Sequence, residues 1–227
     1  MSYKNDPSPF NSVPIAVWLL FLIMFVIECI FSLGEFGLIG GPGAIGWRLI
    51  GITDFGFSGR AFDFMVENGR LLPKQMLRFV TYPFVFDNFT SMLFAGAILL
   101  AIGKMVGDLI GGWAVVFCFF FSGICGAVTF GLVTDQAWMV GAYPCVYGLI
   151  GAYTFLLWQQ LVTTGGQQAQ AFTLIGFLMG IQLVFGIFFQ IGYLWVAELS
   201  GFIAGFGLIA FVVPGGIRRL LSALRRS

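Results

Sequence analysis

The sequence predicts an all-α integral membrane protein, and three observations carry that prediction. Only 9% of its 227 residues are charged, against about a quarter in a soluble domain. The hydrophobic fraction is 59% and the mean hydropathy +0.97. Apolar runs of about 20 residues, the length that crosses a bilayer, recur along the chain. No soluble surface can be built from so few charges. The net charge of +1 and the lack of a basic-aromatic patch exclude nucleic acid as an expected partner.

Six segments have the length and polarity of spans. They are Val13 to Leu33, about Phe84 to Met105, Trp113 to Val133, about Met139 to Val162, Ala171 to Phe189 and about Leu194 to Val213. Residues 1–12 form a polar tail with two prolines, and no small-residue cleavage site follows the first run, so no cleaved signal peptide is expected. Residues 13–213 form one membrane domain. Within it, residues 34–83 make a long first loop holding Glu35, Arg48, Asp54, Arg60, Asp63, Glu67, Arg70, Lys74 and Arg78 among many Phe and Gly. That mixture predicts short helices in the headgroup layer, one of them Ala61 to Glu67, stopped by Asn68-Gly69. The remaining connections are tight.

Residues 214–227 open with Pro214-Gly215-Gly216, which ends the last helix. They continue as a basic amphipathic tail with Arg218, Arg219, Arg225 and Arg226. Each such arginine is worth about 1 kcal/mol at an anionic leaflet, so the tail is expected to anchor there. The charge places both termini in the cytoplasm, with six basic residues inside and five in the first loop. A bacterial inner membrane is the expected location.

Helices in lipid pack through small residues. Gly103, Gly107 and Gly111 recur every fourth residue out of span two. Gly123 and Gly126 mark span three, Gly141, Gly148 and Gly151 mark span four, and Ala197, Gly201 and Gly205 share one face of span six. The four cysteines, Cys29, Cys118, Cys125 and Cys145, lie in apolar runs without a Cys-x-x-Cys pair, which predicts buried small residues and no disulfides. The chain has no histidine, so it lacks the commonest general base and metal ligand. No cofactor or metal is predicted.

One stretch gathers the glycines of span four: Gly141-Ala142-Tyr143-Pro144-Cys145-Val146-Tyr147-Gly148-Leu149-Ile150-Gly151-Ala152. It resembles the fourth transmembrane helix of rhomboid intramembrane serine proteases, where Gly-x-Ser-Gly opens a helix rich in small residues. Three further regions agree in order and spacing. Ala197-Glu198-Leu199-Ser200-Gly201 resembles the family's Ala-His-Leu-Gly-Gly. Arg78-Phe79-Val80-Thr81 resembles its Trp-Arg-x-x-Thr entry segment. Ser122-Gly123-Ile124-Cys125-Gly126 resembles its Ser-Gly-x-x-Gly pattern. The resemblance covers Arg78 to about Ala210 and implies a six-helix rhomboid-like bundle with a long interfacial loop between helices 1 and 2.

By that resemblance the chemically active positions are changed while the small residues around them are kept. Tyr143 stands where the serine nucleophile would be, with Pro144 after it. Glu198 stands for the histidine. Ser91 and Ala95 stand for the His-x-x-x-Asn pair that supports the oxyanion. Without histidine no Ser-His dyad can be assembled, and Ser91 is the best oxyanion donor left among side chains. Cys145 is an alternative nucleophile, but two residues further on a helix it points about 200° away from Tyr143. An intramembrane carboxyl is costly and turned inward, so Glu198 is expected to receive a hydrogen bond from the Tyr143 hydroxyl, or otherwise to meet water in an outer cavity. Glu28, the other intramembrane carboxyl, is expected to snorkel to the interface or bond a neighbouring Ser or Thr. Gln182 is expected to bond between helices.

The resemblance implies a pseudoprotease that holds transmembrane helices or membrane-protein clients without cutting them, as adaptor, chaperone or quality-control factor, with membrane lipid as its other partner. The alternatives are an intramembrane endopeptidase with a divergent site and an accessory structural subunit of a larger membrane complex. An activated-serine probe such as a fluorophosphonate is expected to leave the purified protein unlabelled, measured by in-gel fluorescence beside a catalytic serine hydrolase.

Overall fold

The computed structural model describes residues 13–134, 138–180 and 193–213. The described chain is helical almost throughout. Five helices have the length and apolarity to cross a membrane. They are α1 (Ile15–Glu35), α5 (Phe89–Ile110), α6 (Gly112–Val133), α7 (Tyr143–Thr164) and α9 (Leu194–Val212). Between the first two lie three short helices, α2 (Trp47–Phe55), α3 (Gly59–Asn68) and α4 (Pro73–Thr81). The stretch expected as span five begins with a 3₁₀ turn, Gln168–Phe172, followed by helical residues 173–180 (α8). The rest of that expected span lies outside the described residues, as do Gln182, the polar N-terminal tail and the basic C-terminal tail.

The second span begins and ends about five residues later than its hydropathy suggests. Tyr82–Phe84 forms a 3₁₀ turn, and Asn88 caps α5 by accepting from the Ser91 N–H at 2.9 Å. At the other end α5 runs through Lys104 and Asp108, which pair one turn apart at 3.4 Å. Hydropathy alone stops before these charges. A helix whose charged groups sit on adjacent turns carries them into the headgroup layer.

α7 has the lowest mean hydropathy of the five and is the most buried. It packs most closely against α9 and α6. The contact is backbone on backbone. A Cβ added at Gly201 would strike the Pro144 carbonyl oxygen, one at Gly205 the Gly148 carbonyl, and one at Gly151 the Phe202 carbonyl. Where α6 meets both helices, a Cβ at Gly126 would lie 2.8 Å from the Ala197 carbonyl of α9 and 2.7 Å from Pro144 of α7. In lipid no hydrophobic force drives helices together, so such close van der Waals contact is what holds them. Thr129 and Ser200 add a hydroxyl pair at 2.7 Å between α6 and α9.

α1 packs on α5 by seating its side chains on the glycines of α5. Its buried stripe is Val17, Leu20, Met24 and Glu28, the spacing of one helix face. Cβ atoms at Gly96 and Gly103 would meet the Phe21 ring at 2.7 Å and Val17 at 2.9 Å. Gly111, with φ of +92°, takes no part in helix contact. It makes the turn from α5 into α6, a backbone conformation that favours glycine.

The first loop is more ordered than its composition alone indicates. α3 starts where the Ser58 side chain accepts from the Ala61 N–H at 3.3 Å and ends at Gly69, in the left-handed region. Expected over Ala61 to Glu67, it gains two residues at its start and one at its end. α4 begins on Pro73, whose missing N–H is tolerated there. Phe57 packs against Phe62, Phe79, Tyr82 and Phe130, with ring centroids 5.0–6.4 Å apart. It also exchanges both backbone hydrogen bonds with Met139, at 3.0 and 2.8 Å, which ties the first loop to the segment leading into α7.

Glu28 neither snorkels nor relies on Ser32 alone. It is fully buried and pairs with Arg48 of α2 at 2.9 Å, while Ser32 donates to it at 3.2 Å. Arg48 also bonds Glu35 and donates to the Phe86 carbonyl at 3.0 Å. One guanidinium therefore joins α1, the first loop and the entry to α5. Arg48→Ala leaves the Glu28 carboxylate buried without its cation and is expected to cost about 3 kcal/mol. The double substitution to leucine at Glu28 and Arg48 should recover most of that loss. Thermal unfolding in detergent measures both.

Candidate functional site

The site lies where the segment 138–142 turns into α7. Gly141 has φ of +90°, and its N–H points back to the carbonyls of Val85, at 2.8 Å, and Tyr82, at 3.1 Å. An L side chain is strained at that φ, so the turn is specified by this glycine. Gly141 was expected among the helix-packing residues of span four. It precedes α7, which begins at Tyr143, and its role is in the turn.

Tyr143 is half-buried at the first residue of α7. Its hydroxyl donates to the Ser91 carbonyl at 3.1 Å. A phenol has one proton to give, so the expected donation from Tyr143 to Glu198 is replaced by a crosslink from α7 to the first turn of α5. Ala95 lies one turn further along α5, fully buried, and offers no donor side chain. Pro144 removes one backbone N–H from the first turn of α7. The Ser91 N–H is already taken by its Asn88 cap.

Glu198 is 2% exposed on α9, beside the glycine seam. It lies within electrostatic range of the phenols of both Tyr143 and Tyr147. Tyr147 is one helical turn after Tyr143 and therefore on the same face. That i, i+4 spacing is a signal the sequence itself carries. Asp87, just before α5, acts on Tyr143 from the other side. Burial pushes the Asp87 carboxyl above its ordinary range, while Arg48 pulls it down. Two carboxyl groups, Glu198 and Asp87, thus act on the Tyr143 phenol, and the chain has no imidazole to place among them.

Cys145 is fully buried and turned away from Tyr143. Its sulfur lies against Gly123 of α6, and the Tyr82 hydroxyl sits 3.9 Å away. Burial holds the Tyr82 phenol well above its ordinary value, so its hydroxyl stays protonated and donates to the Gly123 carbonyl at 2.8 Å. The thiol's hydrogen-bonding neighbour, the Tyr82 hydroxyl, is no base while it keeps its proton. Among the described residues no three Cys, Asp or Glu side chains gather as a metal site would need.

A helical bundle with five helices long and apolar enough to cross a membrane, a glycine-seamed α7–α9 pair and a first loop of three short helices defines the class. A family model for the rhomboid domain matches residues 73–215, and the chain belongs to the rhomboid family. No curated protein matches it.

Two outcomes check this geometry. Tyr143→Phe removes the crosslink to Ser91 and is expected to cost about 1 kcal/mol in thermal unfolding. Maleimide should leave Cys145 and Cys118 unmodified in the folded protein and modify both after denaturation, as read by intact-mass spectrometry.

Proposed function

We propose that this chain is a rhomboid-like pseudoprotease that binds transmembrane helices of client membrane proteins without cleaving them. The observation that carries the reading is Tyr143. Its ring occupies the position of a nucleophile, and its hydroxyl is tied to the Ser91 carbonyl. Hydrolysis of an amide needs an activated nucleophile and preorganised donors for the oxyanion. Here the phenol is bonded away, Pro144 has no N–H, and Glu198 stands in place of an imidazole. A carboxyl in that position cannot supply the imidazole's role toward a serine that is absent. What the fold keeps is a close-packed helical frame, and on this reading a client helix packs against it.

On this reading the protein works in a bacterial inner membrane with both termini cytoplasmic, as adaptor, chaperone or quality-control factor. The burial of Cys145 argues against a divergent cysteine endopeptidase. The expected result is that photo-crosslinking in native membranes, followed by mass spectrometry, recovers intact transmembrane clients in substoichiometric and variable amounts. Recovery of one protein at fixed stoichiometry would favour an accessory subunit. Release of a cut transmembrane peptide by the reconstituted protein, abolished in Cys145→Ala or Glu198→Gln, would establish a protease.

A further inference from the structure

The α3–α4 hairpin leaves a cavity of about 590 Å³ against α6. Its walls are apolar, with Met65 and Val66 from α3, Met76 and Val80 from α4, and Ile124 and Val128 from α6. It belongs to neither the Tyr143 site nor the α7–α9 seam.

Its depth matches one leaflet. Val128 and Ile124 lie five and nine residues before Val133, the last residue of α6, hence about 7 and about 14 Å down the helix. Half of a bilayer's hydrocarbon core is about 15 Å. The cavity therefore runs from the interface to near the midplane. A single extended hydrocarbon chain, which has no polar group to satisfy, suits a cavity whose lining residues are all apolar.

Charge beside the cavity selects the headgroup. Arg70 is exposed between Gly69 and Leu71, both of which line the cavity. It has no ion pair or side-chain hydrogen bond among the described residues. The next two cations are already engaged. Lys74 pairs with Asp54 at 2.9 Å, and Arg78 donates to the Thr53 carbonyl at 2.6 Å while lying over the Trp138 ring. Asp63 and Glu67 sit about 110° and 150° around α3 from the centre of its cavity-lining stripe, so their charges face away from the opening.

We propose that this cavity binds one acyl chain of an anionic phospholipid, with the lipid phosphate on Arg70. The chain fills space against α6 whose lining would otherwise lose van der Waals contact, the force that acts between apolar groups already in lipid. The guanidinium gives the phosphate a forked donor that a zwitterionic headgroup, carrying its own cation, uses less well. The bound lipid would brace the first loop against α6 from the membrane side.

The test uses the full chain in phosphatidylcholine nanodiscs with a small fraction of phosphatidylglycerol carrying a diazirine near the middle of one acyl chain. After illumination, peptide mapping should find the label concentrated on residues 62–80 and 124–128. Arg70→Gln should reduce that labelling about five-fold, as should a phosphatidylcholine probe in place of the phosphatidylglycerol one. Val128→Trp, which fills the cavity, should abolish it while lipid-facing α1 remains labelled. Label spread evenly over α1 and α5, as from the general lipid annulus, overturns the proposal. So does equal labelling by the two headgroups, or labelling unchanged in Arg70→Gln. Arg70 is a surface side chain, so that variant keeps the test decisive if Val128→Trp fails to fold.

Discussion

The backbone contact between α7 and α9 is the constraint on which the rest depends. Carbonyl oxygens of Pro144, Gly148 and Phe202 sit where a single methyl group on the facing Gly201, Gly205 or Gly151 would not fit. A lipid-solvated bundle has no hydrophobic collapse to fall back on, so association rests on contact area and closeness. This seam fixes the axial register of the two helices. With register fixed, Glu198 is brought to the level of Tyr143 and Tyr147, and Ala197 is brought against Gly126. Any side chain in the seam would push the helices apart and dissolve the site before touching its chemistry.

The outer rim is organised differently, by charge and aromatic rings. Arg48 reaches Glu28, Glu35 and the Phe86 carbonyl. Phe57 gathers four rings and both backbone bonds of Met139. The long connection between α1 and α5, residues 36–88, could wander, but these two knots hold it to α1, α6 and the entries of α5 and α7. The Gly141 turn is then gripped from the same side through Tyr82 and Val85. Loop and site are joined through these bonds, so a segment far from the glycine seam helps determine where Tyr143 lies.

Much of the site was legible because substitution leaves signatures that composition does not. A chain without histidine cannot build a Ser-His dyad wherever its helices lie. Tyr-Pro at the start of a glycine-rich helix cannot present a nucleophile turn with a free N–H. The partner of the Tyr143 hydroxyl was not legible. Ser91 contributes a backbone carbonyl, and every residue carries one, so sequence gives no hint of which will be reached. Arg48 as the partner of Glu28 was hidden for a related reason. The two are twenty residues apart across a loop whose path only tertiary packing sets. Tyr147 was readable from its spacing to Tyr143, since one helical turn places both on one face.

The sequence by itself determined that this is a helical membrane protein, where most of its spans lie, and which catalytic groups it cannot have. Those conclusions follow from local quantities: apolar run length, residue type, and the short-range periodicity of a helix. Tertiary structure decided which groups meet. It sent the Tyr143 proton to Ser91, buried Cys145 against Gly123, moved Gly141 from a helix face to a turn, and left an apolar cavity under the first loop. These outcomes depend on helix register and on the route of a long connection, both set by contacts between residues far apart in the chain.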